Sequence, residues 1–288
     1  MPLTAVLLVL VAAALHAVWN LLAKDARHVS PFMWWAISIG AIWYGALLLT
    51  RGSLAMPAAV WPIYLSGMVA EIAYLVLITR GYTQGDLSQV YPIARGTPPM
   101  LVALWDATFL GERLPLAGYV GVGLLIAGVY LASLPSPGDL LRPLQAIRNR
   151  PAQIALLAAV CVSAYTVLDK RALAAADPMV YNFWVYAGIA VGYAPFVLIG
   201  GHRSAAVEEW RRNWRRILLG SVTTVTSYML ALLALAQTAA SYVGAVRATS
   251  VLIGAALGWL ILKERFGAMR VLASGLLVLG LGTIVVAT

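Results

Sequence analysis

The sequence predicts an all-α integral membrane protein of ten transmembrane helices in two inverted five-helix repeats. Three observations support this: composition, the number of apolar runs and an internal duplication. The 288 residues are 62% hydrophobic and 11% charged, with a mean hydropathy of +0.86, whereas soluble domains are about a quarter charged. Since a spanning helix needs about 20 apolar residues, little of the chain remains for a soluble domain.

Ten apolar runs of spanning length follow one another along the chain, separated by connectors with glycine, proline or charged residues. The first run lacks the basic segment that opens a signal peptide, so we interpret it as a retained helix. The predicted spans are residues 3–23, 31–50, 58–79, 87–110, 115–134, 151–170, 178–200, 215–236, 239–262 and 267–287.

A duplication relates the two halves. A shift of 152 residues aligns the fourth and fifth runs with the ninth and tenth, and a shift of 147 aligns the first two with the sixth and seventh. The aligned positions include Arg95 with Arg247, Glu112 with Glu264 and Pro31 with Pro178. Because five spans are an odd number, the second copy must enter the membrane from the opposite side. We predict repeats at 1–134 and 151–288, joined by a linker at 135–150.

The net charge of +9 reflects basic residues between the apolar runs. Of the 20 Lys and Arg residues, 14 lie in connectors after odd-numbered spans or in the first residues of the spans that follow them. The positive-inside rule places those connectors in the cytoplasm and both termini outside. The connector after the seventh span holds Trp210 and Trp214 among four arginines, which is typical of a short helix at the membrane surface. We therefore predict the lipid bilayer, and no nucleic acid, as a partner.

No catalytic or cofactor motif is present. The single cysteine, Cys161, excludes an intramolecular disulfide and a metal site built from cysteine pairs. The sequence has no Walker A loop and no H-E-x-x-H pattern, and no recognisable nucleophile arrangement. We predict no cofactor, no metal and no catalytic residue, and a protein that is not an enzyme.

Ionisable residues inside spans are functional candidates by default, and here they are His16, Glu71, Arg95, Asp106 and Arg247. Arg95 lies about 12 Å into its run, and the inversion brings Arg247 to the same depth. Two arginines facing one cavity would favour a carboxylate or phosphate; alternatively they form an internal ion pair or bind free carbonyls. Asp106 is close enough to the end of its run to reach the interface.

Three prolines, Pro92, Pro98 and Pro99, interrupt the hydrogen bonding of the fourth span. Carbonyls freed at membrane depth are tolerated only beside protein or a water-filled cavity. We expect this span to be kinked and to act as a moving part. The ninth span contains no proline, so we expect it to be straighter.

Two further sets of polar residues share a helical face. His16, Trp19 and Asn20 do so on the first span, and Glu71 and Tyr74 do so on the third. Two interpretations are open for the face on the first span: its residues bind a ligand, or they form polar contacts between packed helices. For Glu71 three roles are open: it carries a proton, it provides the counter-charge for a substrate amine, or it pairs with Arg95.

The segments "HAVWNLLAK", "YPIARGTPPMLVALWDATFLGERL" and "LKERF" resemble the EamA family of the drug/metabolite transporter superfamily. The resemblance covers essentially the whole chain. It implies ten helices around a central cavity and secondary transport of a small metabolite, usually outward. Several relatives export amino acids, including aromatic ones, and related families carry nucleotide sugars or sugar phosphates. Relatives are drawn with cytoplasmic termini, opposite to the charge bias.

We therefore expect a multi-pass protein of the bacterial inner membrane, monomeric or homodimeric, that exports amino acids by alternating access. The alternatives are organic cations or drugs, sugar phosphates or nucleotide sugars, and a membrane-embedded enzyme using His16 and Glu71 as acid and base. The residues expected to contact the small-molecule substrate are His16, Trp19, Asn20, Glu71, Tyr74, Tyr91, Arg95 and Arg247.

Overall fold

The computed structural model describes residues 1–24, 26–84, 87–111, 114–132, 134, 137–141, 149–199, 203–253, 256 and 268–286, with only the backbone described at 24, 82, 83, 87–92, 95, 96, 137, 268 and 270. Within this part of the chain there are ten α-helices and no strands. The helices are α1 Leu3–Lys24, α2 Val29–Leu49, α3 Trp61–Gln84, α4 Leu87–Trp105, α5 Leu116–Ala132, α6 Arg150–Ala172, α7 Pro178–Leu198, α8 Arg203–Leu235, α9 Ala240–Arg247 and α10 Ala268–Val286.

Length and composition mark six of these helices, α1 to α3 and α6 to α8, as candidate membrane spans. Shorter apolar helices cover Leu116–Ala132, Ala240–Ile253 and Val271–Val286. The helix α4 has 19 residues, but its charged and proline-rich sequence separates it from the apolar set. The ten described helices agree with the ten predicted runs, and the all-helical prediction is confirmed for the described residues.

The main helix contacts repeat when each helix is exchanged for its counterpart five helices along. The helix α1 packs on α8, and α6 packs on α3. Likewise α2 packs on α8 while α7 packs on α3, and α4 packs on α6 while α9 packs on α1. Each half therefore supplies the same surfaces to the other, as a duplicated architecture requires.

Counterpart helices run antiparallel. A Cβ at Gly121 of α5 would lie 3.0 Å from the Gly280 carbonyl oxygen, and one at Gly128 would lie 3.1 Å from the Ala273 carbonyl oxygen. Positions further along α5 thus meet earlier positions on α10. The helices α2 and α7 show the same relation, because the Trp34 indole donates to the Ala190 carbonyl at 2.9 Å while Gly45 faces Phe183. An inverted repeat requires this direction.

The described parts of the fourth and ninth spans differ in how their helices continue. The α-helix of α4 continues through all three prolines to Trp105 and is followed by a π-helical segment, Asp106–Leu110. Proline has a helical φ but removes a backbone hydrogen bond and kinks a helix from within, so a helix that continues through three prolines is compatible with a bend. The ninth span is interrupted by a turn at 248–249, where Thr249 directs its N–H and its hydroxyl to the Val246 carbonyl. The described part of the ninth span is therefore not one regular α-helix, and the kink of the fourth span at its prolines stays a prediction.

Candidate functional site

A cavity of about 160 Å³ lies between the two halves. It is bounded by α1 to α4 from the first half and by α6 to α9 from the second. Engineered cavities of about 150 Å³ accept a benzene ring, so the space in this conformation suits a small molecule.

Six of the eight predicted contact residues line this cavity, together with two of the three prolines. They are His16, Trp19, Asn20, Glu71, Tyr74 and Arg247, with Pro98 and Pro99. Both prolines are buried. The side chains of Tyr91, Pro92 and Arg95 lie outside the described part of the structure, although Ala94, next to Arg95, lines the cavity. The structure thus brings residues from both halves to one place.

Glu71 projects into the cavity from the middle of α3. Its side chain is only 8% exposed, and Oε2 has no hydrogen-bond partner among the described atoms. A buried carboxylate without a partner is costly, and the great majority of buried polar groups are hydrogen-bonded. Glu71 therefore offers an acceptor to whatever enters the cavity.

Asp169 is a second acid on the cavity wall, and the sequence analysis missed it. The carboxylate is 2% exposed and accepts hydrogen bonds from the Tyr181 hydroxyl at 2.7 Å and the Tyr228 hydroxyl at 2.5 Å. These contacts join α6, α7 and α8. The run Asp169-Lys170-Arg171 resembles the charged end of a span, but α6 continues to Ala172. The signal that could have identified Asp169 is its spacing of four from Tyr165, which places both on one helical face.

Arg247 is the last residue of α9. Its guanidinium lies 5.1 Å from the centre of the Tyr228 ring, a cation–π distance. It forms no ion pair with a described carboxylate, so its forked donors remain available to a ligand. Since the Tyr228 hydroxyl donates to Asp169, the chain Asp169–Tyr228–Arg247 fixes the ring on which the guanidinium rests.

Asn20 and Trp19 of α1 mainly contact their own helix and the neighbouring α2. The Asn20 amide donates to the His16 carbonyl, one turn back, at 2.6 Å, and its side chain is exposed. Trp19 is 5% exposed and stacks on Phe32 with 6.1 Å between ring centres. This face therefore serves helix packing while bordering the cavity.

Tyrosine rings supply the apolar walls. Tyr74 meets Tyr165 edge-on at 6.2 Å, and Tyr186 meets Tyr228 at the same distance. All four rings line the cavity. The Tyr186 hydroxyl is 3.0 Å from Thr224 Oγ1, so its polar end has a partner within the protein. The walls are thus aromatic, and the charged groups are few and localised.

Asp106 has a different role from the one expected. It is 1% exposed and accepts a hydrogen bond from the Ser241 backbone N–H at 2.6 Å. An acidic group at a helix N-terminus satisfies free N–H groups, so Asp106 anchors the start of α9. The expectation that it reaches the interface is wrong. Among the described residues, no group of three or more His, Cys, Asp or Glu could hold a metal ion.

The family model of the EamA-like transporter family matches this chain twice, over residues 3–134 and 150–286. No curated protein matches the sequence. One solved crystal structure, described only as that of a protein, has a TM-score of 0.76 to this chain at 18% identity, with 98% of this chain and 97% of the other covered. At that identity the likeness shows the fold alone.

Proposed function

The chain belongs to the EamA-like transporter family, and from this premise we propose that it is a secondary transporter of small zwitterionic metabolites, with amino acids as the substrate class. The observation that carries the proposal is the pairing of charges in the cavity. Glu71 offers a carboxylate oxygen without a described partner, and Arg247 offers a guanidinium without a described ion pair.

A zwitterion matches these two groups. Its ammonium group would be held by Glu71, and its carboxylate would be held in a forked contact by Arg247. The tyrosine walls would contact the side chain of the amino acid, and His16 would contact a polar group on it, while Asn20, already bonded to its own helix, would only border the cavity. Arg95 would reinforce the carboxylate contact from α4.

We propose alternating access as the mechanism and the bacterial inner membrane as the location, with outward transport. Antiparallel counterpart helices support this, because two inverted halves can rock about a shared site near the midplane. The described site lies between the halves, so a relative rotation would open it to one side at a time.

Organic cations are the second candidate substrate class. The Glu71 carboxylate, whose Oε2 has no described partner, and the tyrosine rings favour a cation, because carboxylates and aromatic faces both attract positive charge. A sugar phosphate or nucleotide sugar fits less well, because the described cavity is small and its wall carries two acids, Glu71 and Asp169.

The test is counterflow in liposomes containing the purified protein. Vesicles are loaded in turn with amino acids, organic cations, sugar phosphates and nucleotide sugars, and uptake of labelled substrate is followed. We expect exchange with amino acids, a loss of at least tenfold in Arg247→Lys and no change in the exposed control Arg171→Gln. Exchange restricted to cations and unaffected by Arg247→Lys would favour the second candidate.

The same vesicles test the enzyme alternative based on His16 and Glu71. Substrate recovered from both sides is identified by mass spectrometry. Unmodified substrate on both sides agrees with transport, and a covalently altered product would replace the transport proposal with catalysis.

A further inference from the structure

The first ten residues of α8, 203–212, form an arm that is separate from the rest of that helix. Asn213 leaves the helical region, with φ −124° and ψ 18°, and its side-chain amide donates to Glu209 Oε1. The chain therefore changes direction between the arm and the apolar part of α8 that begins at Ile217. This bend places the arm at the end of a membrane span.

The inner face of the arm packs against α2 and against His28, the residue before α2. The Trp35 indole donates to the Ala206 carbonyl at 2.9 Å, and Trp35 and Trp210 lie 5.2 Å apart. Glu209 is completely buried and accepts from the His28 backbone N–H at 2.9 Å. The apolar face of the arm is thus fixed on protein and is not free to insert into lipid.

The outer face of the arm is exposed and basic. Arg203, Arg211 and Arg212 are exposed and line one groove with Ser204, Val207 and Glu208. Glu208, the one acid among the described residues of this groove, is paired with Arg27. Within the described part of the chain the three arginines have no ion pair, so a local excess of positive charge faces outward.

We propose that this groove binds the phosphate of an anionic phospholipid headgroup. Arg203 and Arg211 are two helical turns apart, about 12 Å along the axis, so their long side chains can converge on one phosphate between them. Guanidinium groups bind phosphate oxygens in forked pairs. A phosphate there would replace the missing counter-charge.

The position of the arm identifies lipid as the source of the phosphate. Trp214 follows the arm, is 43% exposed and lies beneath the Arg215 guanidinium at 5.2 Å; exposed tryptophan is typical of the membrane–water interface. Basic clusters beside a span bind anionic headgroups, with about a fivefold gain in affinity for each arginine near the surface.

The experiment measures lipid binding and needs no transport, so its failure is distinguishable from failure of the proposed function. The full chain in neutral detergent is titrated with short-chain phosphatidylglycerol or phosphatidylcholine, and bound lipid is counted by native mass spectrometry. The double variant Arg203→Gln/Arg211→Gln is compared with Arg51→Gln/Arg171→Gln. The control pair is also exposed and loses the same charge, but its arginines lie in connectors on the opposite side of the predicted membrane.

We expect phosphatidylglycerol to bind in preference to phosphatidylcholine, with about a 25-fold loss in the first double variant and less than a twofold change in the control. Both variants should retain the wild-type thermal midpoint, because the substituted side chains are exposed. Equal binding of the two lipids, or an equal loss in the control, would overturn the proposal. Displacement of the lipid by equimolar glycerol phosphate would overturn the lipid source and leave a site for soluble phosphate.

Discussion

Glu71 and Asp169 occupy the same cavity, and their surroundings differ. Both carboxylates are buried, at 8% and 2% exposure. Asp169 has a tyrosine hydroxyl on each oxygen, whereas Glu71 has an oxygen with no described partner. The two carboxylates thus differ in their hydrogen bonding: both oxygens of Asp169 have a partner within the protein, and one oxygen of Glu71 has none that is described.

The difference separates structure from function. A buried charge whose hydrogen bonds are all made by the protein stabilises the helices that supply them. A buried charge without them costs stability, and folding alone gives no reason to retain it. We infer that Asp169 holds α6, α7 and α8 together and that Glu71 is kept for a ligand.

The largest effect should follow from removing Asp169. The substitution Asp169→Ala leaves two buried tyrosine hydroxyls without an acceptor. At about 1.5–3 kcal/mol for each hydrogen bond to a charged group, we expect the free energy of unfolding to fall by about 3–6 kcal/mol. The measurement is unfolding of the detergent-solubilised protein by thermal or chemical denaturation, compared with the wild type. A variant as stable as the wild type would remove Asp169 from its structural role.

Glu71→Gln should have the opposite effect, with stability retained and transport lost. It removes a buried charge and keeps the shape of the side chain, so the protein should be as stable as the wild type or slightly more stable. Exchange should fall about 100-fold, because losing one partner of a buried charge pair with the substrate costs about 2–5 kcal/mol. Counterflow and denaturation are measured on the same preparation. Full exchange in Glu71→Gln would contradict the ligand role.

Two tyrosine variants sharpen the comparison further. Tyr228→Phe and Tyr181→Phe each remove one donor to Asp169, but only the Tyr228 ring lies beneath Arg247. In Tyr228→Phe, the freed Asp169 oxygen should attract the Arg247 guanidinium and compete with the substrate carboxylate. We expect about a tenfold weaker substrate affinity, or about 1.4 kcal/mol, in Tyr228→Phe alone.

Tyr181→Phe is the matched control, because Tyr181 is not among the described residues that line the cavity. Both variants should lose a similar amount of stability, about 1.5–3 kcal/mol. The affinity is measured as the concentration for half-maximal counterflow. Equal affinity changes in the two variants would mean that Tyr228 acts only through folding.

The sequence predicted Glu71 and could not predict Asp169, for a physical reason. A carboxylate in the middle of an apolar run stands out, because nothing nearby in sequence can solvate it. Asp169 lies in the last two residues of its predicted span and adjoins Lys170 and Arg171, so the pattern indicated the charged end of a span. In the structure Lys170 instead donates to the Leu235 and Thr238 carbonyls at the end of α8, which allows α6 to continue past Asp169.

The helices themselves were predictable, because composition and run length reflect the thickness of the bilayer. Their regularity was not. The α4 helix continues through its prolines, while the ninth span, which has no proline, is interrupted by the local bonds of Thr249. The position of Arg247 over Tyr228 depends on how α8 and α9 pack against each other. The spacing of residues along one helix does not predict that packing.

The smallest effect should come from Asn20, although it lines the same cavity as Glu71. Its amide already donates to the His16 carbonyl of its own turn, and its side chain is exposed. A group with an internal partner and access to water gains little from a ligand, so Asn20→Ala should change counterflow less than twofold. A loss comparable with that of Glu71→Gln would show that hydrogen-bond saturation does not distinguish ligand contacts from structural residues in this cavity, and the assignment of Asp169 would then require the same test.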